Sequence, residues 1–287
     1  MTQRARVDEL VLGRRVALPP STEVSGGRII LGDDVRIGEH VQIDVRESLV
    51  VGKGSILGPH TIVRGRDIVL GREFYTNHHA EIGGGSCFER TSRLRTGYWV
   101  HVGSYSIVNT AMPVEIGNEV GLGRFTNLYT HGAYLSAFDG FPVEFGPIRL
   151  GNRVWLPGAT VNPDVTIGDD VVVGVGSVVT KDLPAGCLAV GTPCRVIREH
   201  AYPAPLSAQE KLRRVETILR PWEMPYRVVD AAVPTVGVDG AEFDLAAMTV
   251  RGAVSPRTEQ VRNYLRRFGI RFKVETESGQ YEPWREP

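Results

Sequence analysis

Among side chains able to move a proton near neutral pH, histidine comes first, because its unperturbed pKa lies close to the pH at which most enzymes work. The chain carries seven histidines in 287 residues. One of them, His131, stands in the string Leu128-Tyr129-Thr130-His131-Gly132, at the mouth of the one large break in an otherwise periodic sequence. That break, from His131 to Ile148, holds Tyr134, Phe138, Phe141 and Phe145, too many rings for a plain solvated linker. A loop longer than about 12 residues inside a compact domain is usually functional or disordered. An imidazole at its entrance suits removal of a proton from a hydroxyl or an amine as it attacks. The cysteines Cys87, Cys187 and Cys194 form no CxxC pair, and Cys87 and Cys187 have no neighbouring base in sequence, so none reads as a nucleophile. His78, His79 and His101 join His131 as a set from which a zinc site would have to be drawn.

The elements that position these residues follow from a period of six. An aliphatic residue followed by Gly recurs at Leu31, Ile37, Ile116, Leu122, Ile167 and Val173. Four places after each stands a small or β-branched residue: Val35, Val41, Val120, Thr126, Val171 and Ser177. A helix repeats near 3.6 residues and a flat strand at 2, so neither produces a strict six. A coil of short strands and tight turns does, with one buried aliphatic per strand and roughly 18 residues per triangular turn of a parallel β-helix. The phase slips between Ser48 and Val51, again from Val63 to Leu70, and from Glu89 to Val100, which reads as coils with irregular corners.

Three segments result. Residues 1–27 form an N-terminal lead-in, and 28–204 form the β-helix with an inserted loop at 132–147. Residues 205–287, where the period has vanished, form a small α+β domain. There Ser207 to Leu219 reads as a helix with Ser207 as N-cap and Glu210 at the capping-box position. Strands are expected at Tyr226–Asp230, Thr235–Val238, Phe243–Val250 and Ile270–Thr276, with a second helix from Ser255-Pro256 to about Phe268.

From Leu150 onward the string LGNRVWLPGATVNPDVTIGDDVVVGVGSVVTKDLPAGCLAVGTPCRVIRE resembles the hexapeptide-repeat acyltransferases, in the branch of galactoside, maltose and streptogramin O-acetyltransferases. The resemblance implies a mainly β protein with a left-handed parallel β-helix. It also implies a homotrimer and an acyl-CoA donor, acetyl-CoA or another, bound in grooves between subunits. His131 falls where the catalytic histidine of that family falls, implying direct transfer with His131 as general base. Trp155, Val175 and Thr180 would line the donor slot. Lys181, Arg195 and Arg198 would meet the coenzyme A phosphates. The string Leu156-Pro157-Gly158-Ala159 is one residue shorter than the family's and shifts a coil corner beside the thioester. Phe74-Tyr75-Thr76-Asn77 matches the family's asparagine string literally, yet lies about one coil too far from His131. Counted by coil, His101 and Asn109 are level with the acceptor site. Asn77, His101, Asn109 and Tyr134 of the loop are therefore the candidate acceptor contacts, the acceptor being a sugar, nucleotide sugar or small natural-product scaffold.

Composition narrows the partners. Lys+Arg and Asp+Glu are each 33, giving formal net charge +0, which argues against nucleic acid or an anionic membrane as the main partner. No apolar stretch approaches a membrane span, Met1 to Glu9 is polar, and three cysteines fit a reducing, cytoplasmic setting. Two alternatives stay open. One is a non-catalytic β-helix scaffold. The other is a metalloenzyme like the γ-class carbonic anhydrases, for which the close His-x4-His spacing is missing; no metal is expected in the favoured reading.

Overall fold

The computed structural model describes residues 7–224, 226–252 and 255–274. The chain divides into two compact units, the boundary falling between Pro203 and Ala204. The first unit is a parallel β-solenoid of about nine turns, the left-handed β-helix that the resemblance implies. Every aliphatic of the hexad named above is buried, as is every small or β-branched residue four places on. The period therefore reports a column of inward side chains, one per strand, stacked coil upon coil.

Three faces make the prism. The first carries Arg93–Thr96, Val114–Ile116, Ile148–Leu150 and Val165–Ile167. The second carries Arg36–Ile37, Ile56–Leu57, Tyr75–Thr76, His101–Val102, Gly121–Leu122, Trp155–Leu156, Val172–Val173 and Leu188–Val190. The antiparallel strand Arg195–Arg198 closes this face. The third carries Glu81–Gly83, Ile107–Asn109, Asn127–Leu128, Thr160–Val161 and Val178–Val179. In the lowest coils the third and first faces are joined by single long strands, Glu23–Leu31, Gln42–Val51 and Ile62–Leu70. These bend through register shifts at Gly26/Arg28 and Val45/Ser48. Such bulges are the phase slips of the sequence. The solenoid also starts before Arg28: Val7–Leu12 pairs in parallel with the strand that holds Gly26 to Leu31.

The edge between the second and third faces is regular. His40, His60, His79, Tyr105 and Phe125 recur there in the left-handed backbone region, at φ 57, 57, 55, 58 and 63. Only at Pro157–Ala159 is this corner shorter, with Gly158 at φ 64. The register recovers at once, since Thr160 and Val161 still pair with Asn127 and Leu128. The edge between the third and first faces is irregular. It is crossed by a loop over residues 84–92, a short turn over 110–113, and the long insertion that follows Leu128.

The second unit starts with a helix at Ala208–Leu219, whose capping box is complete: Ser207 Oγ accepts from the Glu210 N–H, and the Glu210 carboxylate accepts from the Ser207 N–H at 2.8 Å. An antiparallel meander of Arg227–Asp230, Thr235–Val238, Ala241–Asp244 and Thr249–Gly252 follows. The single strand expected over Phe243–Val250 is thus two strands. The Asp244 carboxylate accepts from the Ala246 and Ala247 N–H groups, both at 2.8 Å, and this side-chain turn reverses the chain. A helix at Pro256–Arg266 and a short strand at Lys273–Val274 complete the unit; Glu275 and Thr276 of the expected last strand lie outside the described residues. Its core gathers Val215, Leu219, Val236, Phe243, Leu265 and Phe272.

Candidate active site

The irregular edge brings together His131, Asn109 and the Gly83-Gly84-Gly85 turn. The long insertion is pinned at its base by a two-residue antiparallel pair, His131 against Phe145 and Gly132 against Glu144. The imidazole stacks on the Phe145 ring, with centroids 5.4 Å apart. One coil below, Asn109 ends its strand on the third face, 2 % exposed. Its Oδ1 lies 3.0 Å from His131 Nδ1 and also accepts from the Thr130 hydroxyl. Its Nδ2 donates to the carbonyl oxygens of Gly83 at 2.9 Å and Gly85 at 3.0 Å.

The other ring nitrogen of His131 faces the Gly83-Gly84-Gly85 turn. A Cβ at Gly85 would stand 3.3 Å from His131 Nε2, so the missing side chain leaves room at that nitrogen. Gly84, at φ +83, brings the turn past Glu81, whose Oε1 would lie 3.7 Å from a Cβ there. Gly83, Gly85, Glu81, Thr130 and Phe145 were not singled out from sequence as site residues. The run of three glycines was the available signal, since it marks close approach of backbone to something that must fit against it.

The sequence candidates fall into two groups. Asn109 adjoins His131, but its polar atoms are engaged by protein, and it faces the imidazole rather than open space. Tyr134, in the insertion, is 98 % exposed. The rest lie elsewhere on the prism. His101 is on the second face, stacked on Tyr75 with centroids 4.3 Å apart. Asn77 is exposed at the regular edge just past Thr76. Trp155 is on the second face, and Val175 stands at the regular edge one coil on. The indole lies flat on the coil below: a Cβ at Gly121 would collide with the ring, and one at Gly123 would come within 3.2 Å of it. The residue is 42 % exposed. Thr180, Lys181, Arg195 and Arg198 are all exposed on the last coils. Arg195 and Arg198 stand on the strand that ends the second face, whereas Thr180 and Lys181 follow Val178–Val179 at the irregular edge, the one that bears His131.

Burial pushes the thiols of Cys87, Cys187 and Cys194 above their ordinary value, the wrong direction for a nucleophile. The histidines of the metalloenzyme alternative do not converge. His78 and His79 are at the regular edge, edge-to-face at 5.4 Å, His101 is on the second face and His131 is on the opposite side of the third. Among the described residues no group of three or more His, Cys, Asp or Glu is placed to hold a metal ion, and no helix is long and apolar enough to cross a membrane.

Comparison with known proteins gives the same family likeness. No family model matches the chain. A galactoside O-acetyltransferase of Escherichia coli (strain K12) is 57% identical over 54 residues, 18% of this chain and 27% of that relative. A solved maltose O-acetyltransferase from Clostridium difficile 630 is 28% identical, covering 52% of this chain and 68% of its own, with a TM-score of 0.33. A hexapeptide-repeat acetyltransferase from Vibrio cholerae, complexed with acetyl coenzyme A, is 26% identical over 46% of this chain and 67% of its own, with a TM-score of 0.33. The chain is similar to the hexapeptide-repeat acetyltransferases, within them to the galactoside and maltose O-acetyltransferase group. It spans less than half the length of the curated relatives it matches.

Proposed function

We propose that this protein is an acyl-CoA-dependent acyltransferase, acetyl-CoA being the first donor to test, and that it acts on a hydroxyl or amine of a sugar, nucleotide sugar or small natural-product acceptor. The observation that carries the reading is His131. It is anchored at Nδ1 by Asn109, stacked on Phe145, and presents Nε2 to a space kept clear by Gly85. In that reading Nε2 takes the proton of the acceptor O–H or N–H as its oxygen or nitrogen attacks the thioester carbonyl. A backbone N–H or nearby side chain steadies the oxyanion. The C–S bond then breaks, and the proton held on the imidazole goes to the departing thiolate.

Placement on the prism supports a shared site. The edge bearing His131 lies opposite the second face, so Trp155 and His131 of one chain point away from each other. Neighbouring copies packed side by side would bring the His131 of one toward the Trp155 of the next, as in a closed ring of three. Two measurements test the reading. Calorimetric titration with acetyl-CoA and free coenzyme A should give binding that Arg195→Ala weakens. His131→Ala and Trp155→Ala, each impaired alone, should regain part of the turnover when unfolded together and refolded as mixed oligomers. Absence of acyl-CoA binding would sink the donor assignment, and absence of recovery would sink the shared site.

A further inference from the structure

We propose that Asn109 is the positioning residue of His131: it dictates which ring nitrogen carries the proton, and so keeps Nε2 available as the base. The inference deepens the reading of His131 given above and rests on it for its catalytic meaning.

An asparagine amide has an acceptor at one end and two donors at the other. Two carbonyl oxygens, of Gly83 and Gly85, stand 2.9 and 3.0 Å from one end of the Asn109 amide. Carbonyls only accept, so that end is the NH2. The opposite end, the oxygen, is therefore the one 3.0 Å from His131 Nδ1. An amide oxygen cannot donate, so Nδ1 must. The neutral ring then has its proton on Nδ1 and its lone pair on Nε2, the nitrogen facing Gly85. In water a neutral imidazole favours the opposite arrangement, and Asn109 reverses that preference. Flipping the amide would set its oxygen against two carbonyls and its NH2 against Nδ1–H. Asn109 is 2 % exposed, so water is poorly placed to relieve either clash. The Thr130 hydroxyl adds a second donor to the same oxygen.

The same contacts explain why the residue is an amide rather than an acid. A carboxylate at 109 could still accept from Nδ1, but its other oxygen would face the Gly83 and Gly85 carbonyls. The turn that opens space for an acceptor thus also selects asparagine as the partner of the base.

The direct test needs no substitution. Nitrogen NMR of the full chain with labelled histidine, assigned by loss of signals in His131→Ala, should show neutral His131 protonated at Nδ1 and bare at Nε2. A proton on Nε2 in the native protein overturns the proposal. Asn109→Leu, of similar volume, should release the ring to the Nε2–H form. It should lower kcat on the order of 100-fold, the low end for a general base, with KM for acetyl-CoA unchanged. Asn109→Asp keeps the acceptor and should restore the Nδ1–H form and part of kcat. An Asn109→Leu protein with unchanged tautomer or unchanged kcat refutes the role. If that variant does not fold, the wild-type spectrum decides alone. Full turnover in His131→Ala would instead remove the catalytic reading, while the tautomer would still answer to Asn109.

Discussion

The two edges that bound the third face start from the same repeat and end in opposite states. At the edge between the second and third faces, five successive coils place a ring at the same corner. The stack His40, His60, His79, Tyr105 and Phe125 has centroid spacings of 4.9, 4.6, 5.1 and 5.7 Å. The Arg124 guanidinium covers its end, 5.2 Å from the Tyr105 ring and 4.5 Å from that of Phe125. Each ring satisfies its neighbours along the axis, and the corner has a uniform length that keeps the coils in register. At the opposite edge of the same face each coil from Gly84 upward leaves the repeat differently. Freed from register, that edge can aim side chains: His131 from the insertion, Asn109 from a strand end, and the glycine turn from the loop below. Regularity at one edge holds the coils, and irregularity at the other builds the site proposed for the reaction.

The contrast is broken most severely at His131. His131→Ala should cut turnover by about 10²–10⁴-fold, the range for loss of a general base, while circular dichroism and the melting midpoint stay near wild type. Retained turnover would show that the irregular edge is not where chemistry happens. Gly85→Val comes next. Its Cβ would occupy the space 3.3 Å from Nε2, so acceptor kcat/KM should fall by about tenfold or more, one misplaced group costing that much in a tight site. Acetyl-CoA affinity should not change, and a matching loss of donor binding would mean that the turn serves the fold rather than the acceptor. At the regular edge the signs exchange. Tyr105→Ala removes ring contacts to His79 and Phe125 and the Arg124 contact, so about 1–2 kcal/mol of stability should go. Turnover of the folded protein should stand.

These edges also show what the sequence could and could not disclose. The β-helix was legible because its core is a column: one inward aliphatic per strand leaves a period that no other element imitates. His131 was legible because it closes a coil immediately before the period fails. The partner of His131 was not, although Asn109 itself was noticed. Its role depends on the carbonyls of Gly83 and Gly85, more than twenty residues earlier, and backbone acceptors leave no residue type to read. The polar segment Glu89 to Val100 keeps the period poorly and reads only as a coil with an irregular corner, so the loop over residues 84–92 does not stand out in the sequence. Asn77 shows the opposite hazard. A literal four-residue match to a family string sits at the regular edge, across the width of a face from His131, because spacing along the chain and level on a prism are different coordinates. In the second unit, Phe243–Val250 looks like one strand by composition, and only the Asp244 side-chain bonds divide it.

The finest test of the comparison concerns how the regular edge holds its shape. His60 has φ 57, a conformation that disfavours any side chain with a Cβ. It is nevertheless stacked between His40 and His79. If the ring stack compensates for the backbone strain, the two contributions separate by substitution. His60→Ala keeps the strain and loses both ring contacts, for an expected cost of about 1 kcal/mol. His60→Gly loses the same contacts but relieves the left-handed backbone, which is worth about 1 kcal/mol per residue, so its stability should return close to wild type. Denaturant melts of the two variants measure the difference directly. Equal stabilities would mean that the corner is unstrained and that the rings line up because the coils already do. A glycine variant clearly above the alanine variant would mean that the stack is the reason an L-residue is tolerated at that corner. In the next two coils the same left-handed corner is taken by glycine, Gly158 at φ 64 and Gly176 at φ 72, and there the ladder of rings ends.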